Sequence, residues 1–308
     1  MKFFSSSHGV ISIGDELKEF DGTIFSTIYS GSTSETMLSL DFKENSGNII
    51  GYAAGTNANL WYWDGATTTM TGPTQLYSTS NSFTKVGCYF PGSGSTVKPV
   101  ILEDNGELYS YDPTGATLTN TKSSIQDFCF LNATDGYAVT PSGIVYKTVD
   151  SGQNWPTTAS SVSVPTSTIR TLAIRTAGSF VIAIGIGDDK KIYQNFLTGG
   201  GWAEGSRFVP LGLNDISDLE SGTNDEMFCT VGDNGTVLRT YYTSYPPYVE
   251  IKPKPSPYDL LAVKAFEDIT TADIHVTTCG KSSEYFTSDD NGISWSSHPV
   301  SPTPSGTV

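Results

Sequence analysis

The chain has 308 residues, a net charge of −15 and only 16% charged residues, with 31 glycines and 16 prolines. A typical globular domain has about 25% charged residues, and this composition instead favours strands and turns over helices. A chain with this much negative charge is repelled by nucleic-acid phosphates and by anionic lipid. We therefore expect neither as a partner. No stretch approaches the roughly 18 apolar residues of a membrane span, and we expect no membrane insertion.

The N-terminal residues Met1-Lys2-Phe3-Phe4 are followed by serines rather than by the apolar core of a secretion signal. We therefore expect synthesis in the cytoplasm without a cleaved signal peptide. The final location of the protein, including incorporation into a virus particle, is left open.

Three units in the first part of the chain each place aromatic residues before an acidic turn. They are Lys18-Glu19-Phe20-Asp21-Gly22, Trp61-Tyr62-Trp63-Asp64-Gly65 and Tyr109-Ser110-Tyr111-Asp112. An aromatic run that ends in Asp or Asp-Gly is typical of a strand followed by a tight turn.

The fourth unit is the clearest, and we predict its strands over residues 125–132, 136–140, 144–148 and 155–160. It contains Thr148, Asp150, Gly152 and Trp155 in the pattern [Ser/Thr]-x-Asp-x-Gly-x-x-Trp. The same pattern returns near the C-terminus with Ser288, Asp290, Gly292 and Trp295. A weaker copy keeps Gly199 and Trp202 but has Leu197 where the aspartate belongs.

The units recur about every 45 residues, which is the length of a four-stranded propeller blade. The aspartate or its counterpart falls at Asp21, Asp64, Asp112, Asp150, Leu197, Tyr242 and Asp290. We predict an all-β single domain over residues 1–308, a seven-bladed β-propeller with four antiparallel strands per blade. The blades are placed at roughly 1–34, 35–82, 83–123, 124–166, 167–212, 213–255 and 256–300, with a tail at 301–308, and the first strand of the last blade at 260–266.

The repeated motif resembles the Asp box of sialidase-type propellers, and residues 137–155 are similar to a repeat of the photosystem II assembly-factor-like propellers. This resemblance implies a β-propeller and gives the motif residues an architectural role. We expect the aspartate to accept backbone N–H bonds from its own turn and the glycine to permit positive φ. Trp155 and Trp295 are expected to be buried at the blade edge.

A sialidase would need three arginines that converge on a substrate carboxylate. The chain has four arginines, and none precedes Arg170. The histidines His8, His275 and His298 show no metal-ligand spacing. We therefore predict no catalytic residues, no metal and no cofactor. A glycoside hydrolase that uses two carboxylates is the weaker alternative, with Asp127, Asp218 and Asp268 as candidates.

We expect a binding or structural protein whose partner is a protein or glycan surface. A virion component, such as a phage tail, capsid-decorating or host-contact protein, is the first hypothesis, and a cellular scaffold or carbohydrate-binding propeller is the alternative. A place in a larger symmetric assembly is left open. The candidate binding aromatics, for which burial between blades is the other interpretation, are Trp61, Trp63, Tyr241, Tyr242, Tyr245 and Tyr248.

The four cysteines are Cys88, Cys129, Cys229 and Cys279, and no two of them form a Cys-x-x-Cys pair. We expect small buried apolar side chains rather than a zinc site. Pairing of Cys88 with Cys129, which occupy equivalent places in adjacent repeats, is left open.

Overall fold

In the computed structural model the fold is an all-β, seven-bladed β-propeller with four antiparallel strands in each blade. The fold predicted from the sequence repeat is confirmed. The structure describes residues 1–5, 8–20, 24–31, 35–45, 48–63, 71–75, 81–89, 97–160, 167–177, 180–197, 201–204, 212–220, 227–241, 248–267, 274–281 and 284–299.

Each blade consists of four strands that follow one another in the chain and pair in that order. Blades 1–3 contain β1 (Lys2–Ser5), β2 (His8–Ile13), β3 (Glu16–Phe20), β4 (Phe25–Ser30), β5 (Met37–Asn45), β6 (Asn48–Gly55), β7 (Asn59–Trp63), β8 (Thr71–Gln75), β9 (Phe83–Tyr89), β10 (Lys98–Glu103), β11 (Leu108–Asp112) and β12 (Thr117–Lys122). Blades 4–7 contain β13 (Asp127–Phe130), β14 (Gly136–Val139), β15 (Val145–Thr148), β16 (Thr157–Ser160), β17 (Ile169–Ala177), β18 (Phe180–Gly187), β19 (Ile192–Phe196), β20 (Trp202–Glu204), β21 (Leu213–Glu220), β22 (Met227–Gly232), β23 (Val237–Tyr241), β24 (Tyr248–Lys252), β25 (Leu260–Glu267), β26 (Ile274–Gly280), β27 (Glu284–Ser288) and β28 (Ser296–Pro299).

The packing divides the chain into two compact units. Unit 1 comprises Met1–Thr140 and Tyr146–Thr158, and unit 2 comprises Pro141–Val145 and Ala159–Val308. Blades 1–3 belong to unit 1 and blades 5–7 to unit 2. The single domain expected from the sequence stays a prediction, and each unit is described by itself.

Alternating apolar side chains build the core of each unit, because successive side chains along a strand point to opposite faces of its sheet. In unit 1, Phe42 and Trp61 are buried in one cluster, and Leu108, Phe128 and Trp155 are buried in another. In unit 2, one cluster joins Ile184 and Ile186 of blade 5 to Phe228 and Leu238 of blade 6. The faces of neighbouring blades thus cover one another, which an isolated blade cannot achieve.

The strands of blade 4 are shorter than the sequence indicated. The first covers Asp127–Phe130 rather than 125–132, and the last begins at Thr157 rather than at 155. The difference arises because Ile125 and Trp155 lie in the connections next to the strands and are nevertheless buried. Burial alone therefore does not mark a strand end.

Candidate functional site

The turn at 148–155, called here the blade 4 box turn, is closed by side-chain bonds to its own backbone. Asp150 Oδ1 accepts the backbone N–H of Asn154 at 2.9 Å, and Thr148 Oγ1 accepts that of Gly152 at 3.0 Å. The Thr148 hydroxyl also donates to Asp150 Oδ1 at 2.7 Å. Gly152 has φ +82, and a side chain there would collide with Val100 of blade 3, so this position requires glycine.

The turn at 288–295, the blade 7 box turn, repeats these bonds. Asp290 Oδ1 accepts the backbone N–H of Ile293 at 3.1 Å and that of Ser294 at 2.8 Å. Gly292 donates its N–H to Ser288 Oγ at 2.7 Å. Both turns therefore use their carboxylate for local backbone bonds.

Hydrogen bonds lower the pKa of both box carboxylates. The pKa of Asp290 falls to about 2, chiefly because the Ser294 hydroxyl donates to Oδ2 at 2.6 Å. At Asp150 partial burial raises the pKa, but the bonds from the Asn154 side chain and from Thr148 outweigh burial and lower it. Both groups are therefore acceptors committed to the turn.

The box tryptophans differ in burial. Trp155 is 3% exposed, and its Nε1–H has no partner among the described residues. Trp295 is only partly buried and donates its Nε1–H to Pro253 O at 3.0 Å. Both rings were expected to be buried at the blade edge, and Trp295 is buried less than Trp155 because it lies at the edge of its cluster. Trp202 is buried and donates to Gly143 O at 2.5 Å, whereas Gly199 lies outside the described residues.

The candidate binding aromatics Trp61 and Trp63 are core residues. Trp61 is 1% exposed and donates its Nε1–H to Tyr29 Oη at 3.1 Å. Trp63 is buried with its ring edge-on to Phe42. Their proposed use as exposed platforms is wrong, because strand alternation turns both toward the core. Tyr241 and Tyr248 lie in β23 and β24 with side chains outside the described set, and Tyr242 and Tyr245 lie outside the described residues.

A β-bulge near the start of the first strand recurs in five blades, and the sequence analysis did not predict it. The register shifts around one extra residue, called here a bulge residue, at Leu38, Thr84, Arg170, Asn214 and Leu261. Gln126 takes the same place in blade 4, where its N–H donates to Val139 O and Val139 also lies opposite Asp127. A bulge aims a side chain away from the regular pleat.

The sequence carries a signal for these bulges. A buried apolar residue precedes each bulge residue and another follows two positions later, as with Leu213 and Ile216 around Asn214. A spacing of three contradicts the two-residue period of a strand, and one inserted residue restores it.

In unit 2 two bulge residues link neighbouring first strands. Arg170 Nη2 donates to Leu213 O at 3.1 Å, and Asn214 Nδ2 donates to Leu260 O at 2.9 Å. Each acceptor carbonyl belongs to the residue just before the next bulge. Leu261 has no donor to continue the series, and its side chain is 40% exposed.

Ion pairs surround these bulges. Lys190 Nζ lies 2.6 Å from Asp233 Oδ2, and Lys281 Nζ lies 2.7 Å from Asp259 Oδ2. The hydrogen bond between Lys281 and Asp259 lowers the pKa of the Asp259 carboxyl and raises the pKa of the Lys281 ammonium group. The four charged side chains next to the bulges at Asn214 and Leu261 are therefore held in two ion pairs.

Two apolar side chains remain uncovered among these pairs. Tyr258 is 59% exposed and Leu261 is 40% exposed, and Asp259 lies between them in the chain. We call the surface formed by Asn214, Tyr258, Asp259, Leu261 and Lys281 the docking face. It combines an aromatic and an aliphatic side chain with a polar rim, which is the composition of a protein-binding patch.

The bulge residues of unit 1 make no comparable links within the described residues. Thr84 Oγ1 donates to Leu102 O of its own blade at 3.2 Å, and Gln126 is exposed. Leu38 is 46% exposed. In the described part of unit 1, the bulges therefore present side chains without a bond to the next first strand.

The proposed two-carboxylate residues are not brought together by the described geometry. Asp127 is 4% exposed and pairs with Lys85 Nζ at 2.5 Å. The side chain of Asp218 is outside the described set, and Asp268 lies outside the described residues. The two-carboxylate hypothesis stays untested, and Asp127 forms an ion pair with Lys85.

Among the residues whose placement is described, no group of three or more His, Cys, Asp or Glu side chains is arranged to hold a metal ion. Nor does the described part of the chain contain a helix long and apolar enough to cross a membrane. None of the four cysteines forms a disulfide, so Cys88 and Cys129 are not bonded to each other. Burial raises the pKa of Cys229 to about 12, which keeps this thiol neutral and unreactive.

No protein-family model matches the sequence, and no curated protein matches it closely enough to be a relative. Solved structures do match. YCF48 from Cyanidioschyzon merolae is 18% identical, with 86% of this chain and 85% of that chain covered and a TM-score of 0.62. A structure of YCF48 bound to D1 peptide is 15% identical, with 96% and 87% covered and a TM-score of 0.63.

The β-propeller domain of Myceliophteria thermophila Cps50 (Swd1) is 10% identical, with 91% of this chain and 92% of that chain covered and a TM-score of 0.67. Likeness at these identities shows the fold alone. That fold is the β-propeller, whereas the assignment of the motifs as Asp-box repeats stays a prediction.

Proposed function

We propose that the protein is a non-enzymatic propeller that binds a segment of another protein on the docking face of unit 2. The observation that carries this proposal is the pair of exposed side chains, Tyr258 and Leu261, set among fixed ion pairs. Single exposed apolar residues are normal on a surface, but here an aromatic and an aliphatic residue are both exposed within four consecutive residues, and aromatic side chains commonly anchor protein interfaces.

The polar rim supports the same function. Asn214 is held by Leu260 O and by Asp233, and Asp259 is held by Lys281. A partner that binds here meets groups already oriented, which lowers the entropy cost of association. The net charge of −15 favours a partner segment with positive charge, because opposite charges speed encounter.

The structural neighbours are consistent with this function. One YCF48 structure is described as bound to D1 peptide, so that propeller binds a peptide. A protein segment is preferred over a glycan here, because the two tryptophans considered as sugar platforms are buried. The absence of catalysis rests on the arginine distribution in the sequence and on the pairing of Asp127 with Lys85.

The narrower hypothesis of a virion component rests on composition, since the chain is rich in Ser, Thr and Gly and poor in charge. Mass spectrometry of purified particles tests it directly. Detection of this chain at a fixed ratio to the main capsid or tail protein supports the hypothesis, and absence from intact particles rejects it.

The docking face is tested by replacing its two exposed apolar residues together, Tyr258→Ser with Leu261→Ser. The matched control is Ile251→Ser, which removes a 66% exposed isoleucine from β24 of the same unit. A partner is first captured on the unmodified chain and identified, and its affinity is then measured for each variant. We expect a loss of at least about tenfold for the double variant and none for the control.

Equal affinity of the double variant and the control would place the binding surface elsewhere. A panel of chromogenic glycosides tests the non-enzymatic part separately. Turnover that is lost on replacing one acidic residue would establish a hydrolase instead.

A further inference from the structure

Three polar side chains in unit 2 are buried without a hydrogen-bond partner among the described residues. Gln194 is 1% exposed, and Thr230 and Thr240 are completely buried. The unpartnered atoms are Gln194 Nε2 and Oε1, Thr230 Oγ1 and Thr240 Oγ1. Buried polar groups in folded proteins almost always have a partner, so four such atoms need an explanation.

All three side chains face the same layer between blades 5 and 6. Gln194 alternates with Ile192 and Phe196 along β19, and both neighbours belong to the cluster that joins the two blades. Thr230 alternates with Phe228 along β22, and Thr240 alternates with Leu238 along β23. Phe228 and Leu238 belong to that same cluster. Side chains two positions apart on a strand share a face, so the three polar groups point into one interface.

The strand registers also place them at matching heights. The residue pairs between the second and third strands of a blade can be counted from the turn that joins them. In blade 5, Gln194 lies in the third such pair, opposite Ile184. Thr230 lies in the second pair of blade 6, opposite Leu238, and Thr240 lies in the fourth pair, opposite Phe228. Gln194 therefore projects at a level between the two threonines.

The mixture of groups identifies what this site accepts. Gln194 offers two N–H donors and a carbonyl acceptor, and each threonine hydroxyl both donates and accepts. A bare cation has no use for the amide donors, and the buried Arg175, which lies opposite Ile182 on the same face of blade 5, would repel it. Water donates twice and accepts twice, and it commonly bridges buried polar groups of this kind.

We propose that blades 5 and 6 enclose an ordered-water site held by Gln194, Thr230 and Thr240. The site lies in a largely apolar layer, beneath the Lys190–Asp233 ion pair that joins the same two blades. It is independent of the docking face, since none of its three residues belongs to that surface.

A high-resolution crystal structure of the unmodified chain tests the site directly. We expect at least one density peak within hydrogen-bond distance of two or more of the three side chains. Direct bonds between Gln194 and the threonine hydroxyls would overturn the proposal, as would a dry gap.

The double variant Thr230→Val with Thr240→Val gives a second test, read from the change in Tm. If water bridges the hydroxyls, their removal breaks real hydrogen bonds and Tm falls. If the hydroxyls are dry, valine removes two desolvated polar groups and Tm rises.

The matched control is Thr278→Val, because the buried Thr278 hydroxyl donates to Ala262 O at 2.9 Å. Its Tm shows the cost of losing a direct bond. A fall in the double variant of at least the size of the control supports the proposal, and a smaller fall, an unchanged Tm or a raised Tm contradicts it. The single variants give the same reading if the double variant fails to fold.

Discussion

The box turns of blades 4 and 7 form the same backbone hydrogen bonds but leave their tryptophans in opposite situations. Trp155 is 3% exposed and its indole N–H has no partner among the described residues. Trp295 is partly exposed and its indole N–H is bonded to Pro253 O. Trp155 therefore contributes mainly buried apolar surface, whereas Trp295 also contributes a hydrogen bond.

The cause lies outside the turns. Gly152 approaches Val100 of blade 3, so the blade 4 turn sits directly against its neighbour and encloses the ring of Trp155. A side chain at Gly292 would meet the chain of Lys252 at the ordinary contact distance of 3.5 Å, so the blade 7 turn lies less close to its neighbour. A short motif therefore fixes its own loop geometry, while the neighbouring blade decides how deeply its tryptophan is buried.

Replacing each tryptophan by alanine should give the largest difference in stability between the two box turns. Trp155→Ala is expected to lower the free energy of unfolding by about 3–5 kcal/mol, because it opens a cavity between blades 3 and 4. Trp295→Ala should cost about 2 kcal/mol, since its ring buries less apolar surface. Urea denaturation of both variants measures the difference, and equal losses would show that burial does not distinguish the two rings.

Removal of the box carboxylates should have smaller and similar effects. Asp150→Ala and Asp290→Ala are each expected to cost about 1–2 kcal/mol, because each leaves backbone N–H groups of its turn without their acceptor. Glu204→Ala is the control, since among the described residues the Glu204 side chain forms a surface ion pair with Lys191 and no bond to a turn. Partner affinity should not change in either Asp variant, and a change would give the carboxylate a binding role.

Removal of single side-chain donors to the carboxylates should be weaker still. Ser294→Ala and Asn154→Ala should each cost about 0.5–1 kcal/mol. Ser294→Ala should also raise the pKa of Asp290, because the Ser294 hydroxyl is the main cause of its low value. A carboxyl NMR titration measures the pKa, and an unchanged value would assign the depression to the backbone amides.

The contribution of the Asp290 carboxylate to stability should be lost only in strong acid. Its folded pKa of about 2 lies below the unfolded value of about 3.9, so its stabilisation is full above pH 4 and disappears as the pH falls through 2. The stability difference between the unmodified chain and Asp290→Ala should therefore shrink between pH 4 and pH 2. A difference that persists at pH 2 would mean that the neutral carboxyl serves the turn equally well.

The fold was predictable because its signal is repeated. Each repeat supplies strands and turns with the same period, so one degenerate copy does not hide the pattern. The burial of Trp61 and Trp63 was not predictable in the same way. An aromatic residue has similar sequence surroundings whether its ring faces a neighbouring blade or solvent, and that choice depends on strand register and on contacts distant in the chain.

The bulge residues, and with them the docking face, were missed for a different reason. Strands are recognised in a sequence by alternation, and the extra residue at Asn214 breaks that alternation locally. Tyr258 lies in a proline-rich connection, where sequence alone does not indicate which side chains remain exposed. The site thus depends on the irregular residues between and within the strands.

Because every blade is built from four strands that are consecutive in the chain, the gene can grow or shrink in steps of one blade. A duplication or deletion of about 45 residues inserts or removes one unit of four antiparallel strands, and only the short parallel pairing of β21 with β25 crosses between two units in the described sheets. Recombination between repeats would therefore yield intermediates with intact hairpins. One unit can then differ from the others without disturbing their strands, and Leu197 stands where other units of this chain have an aspartate.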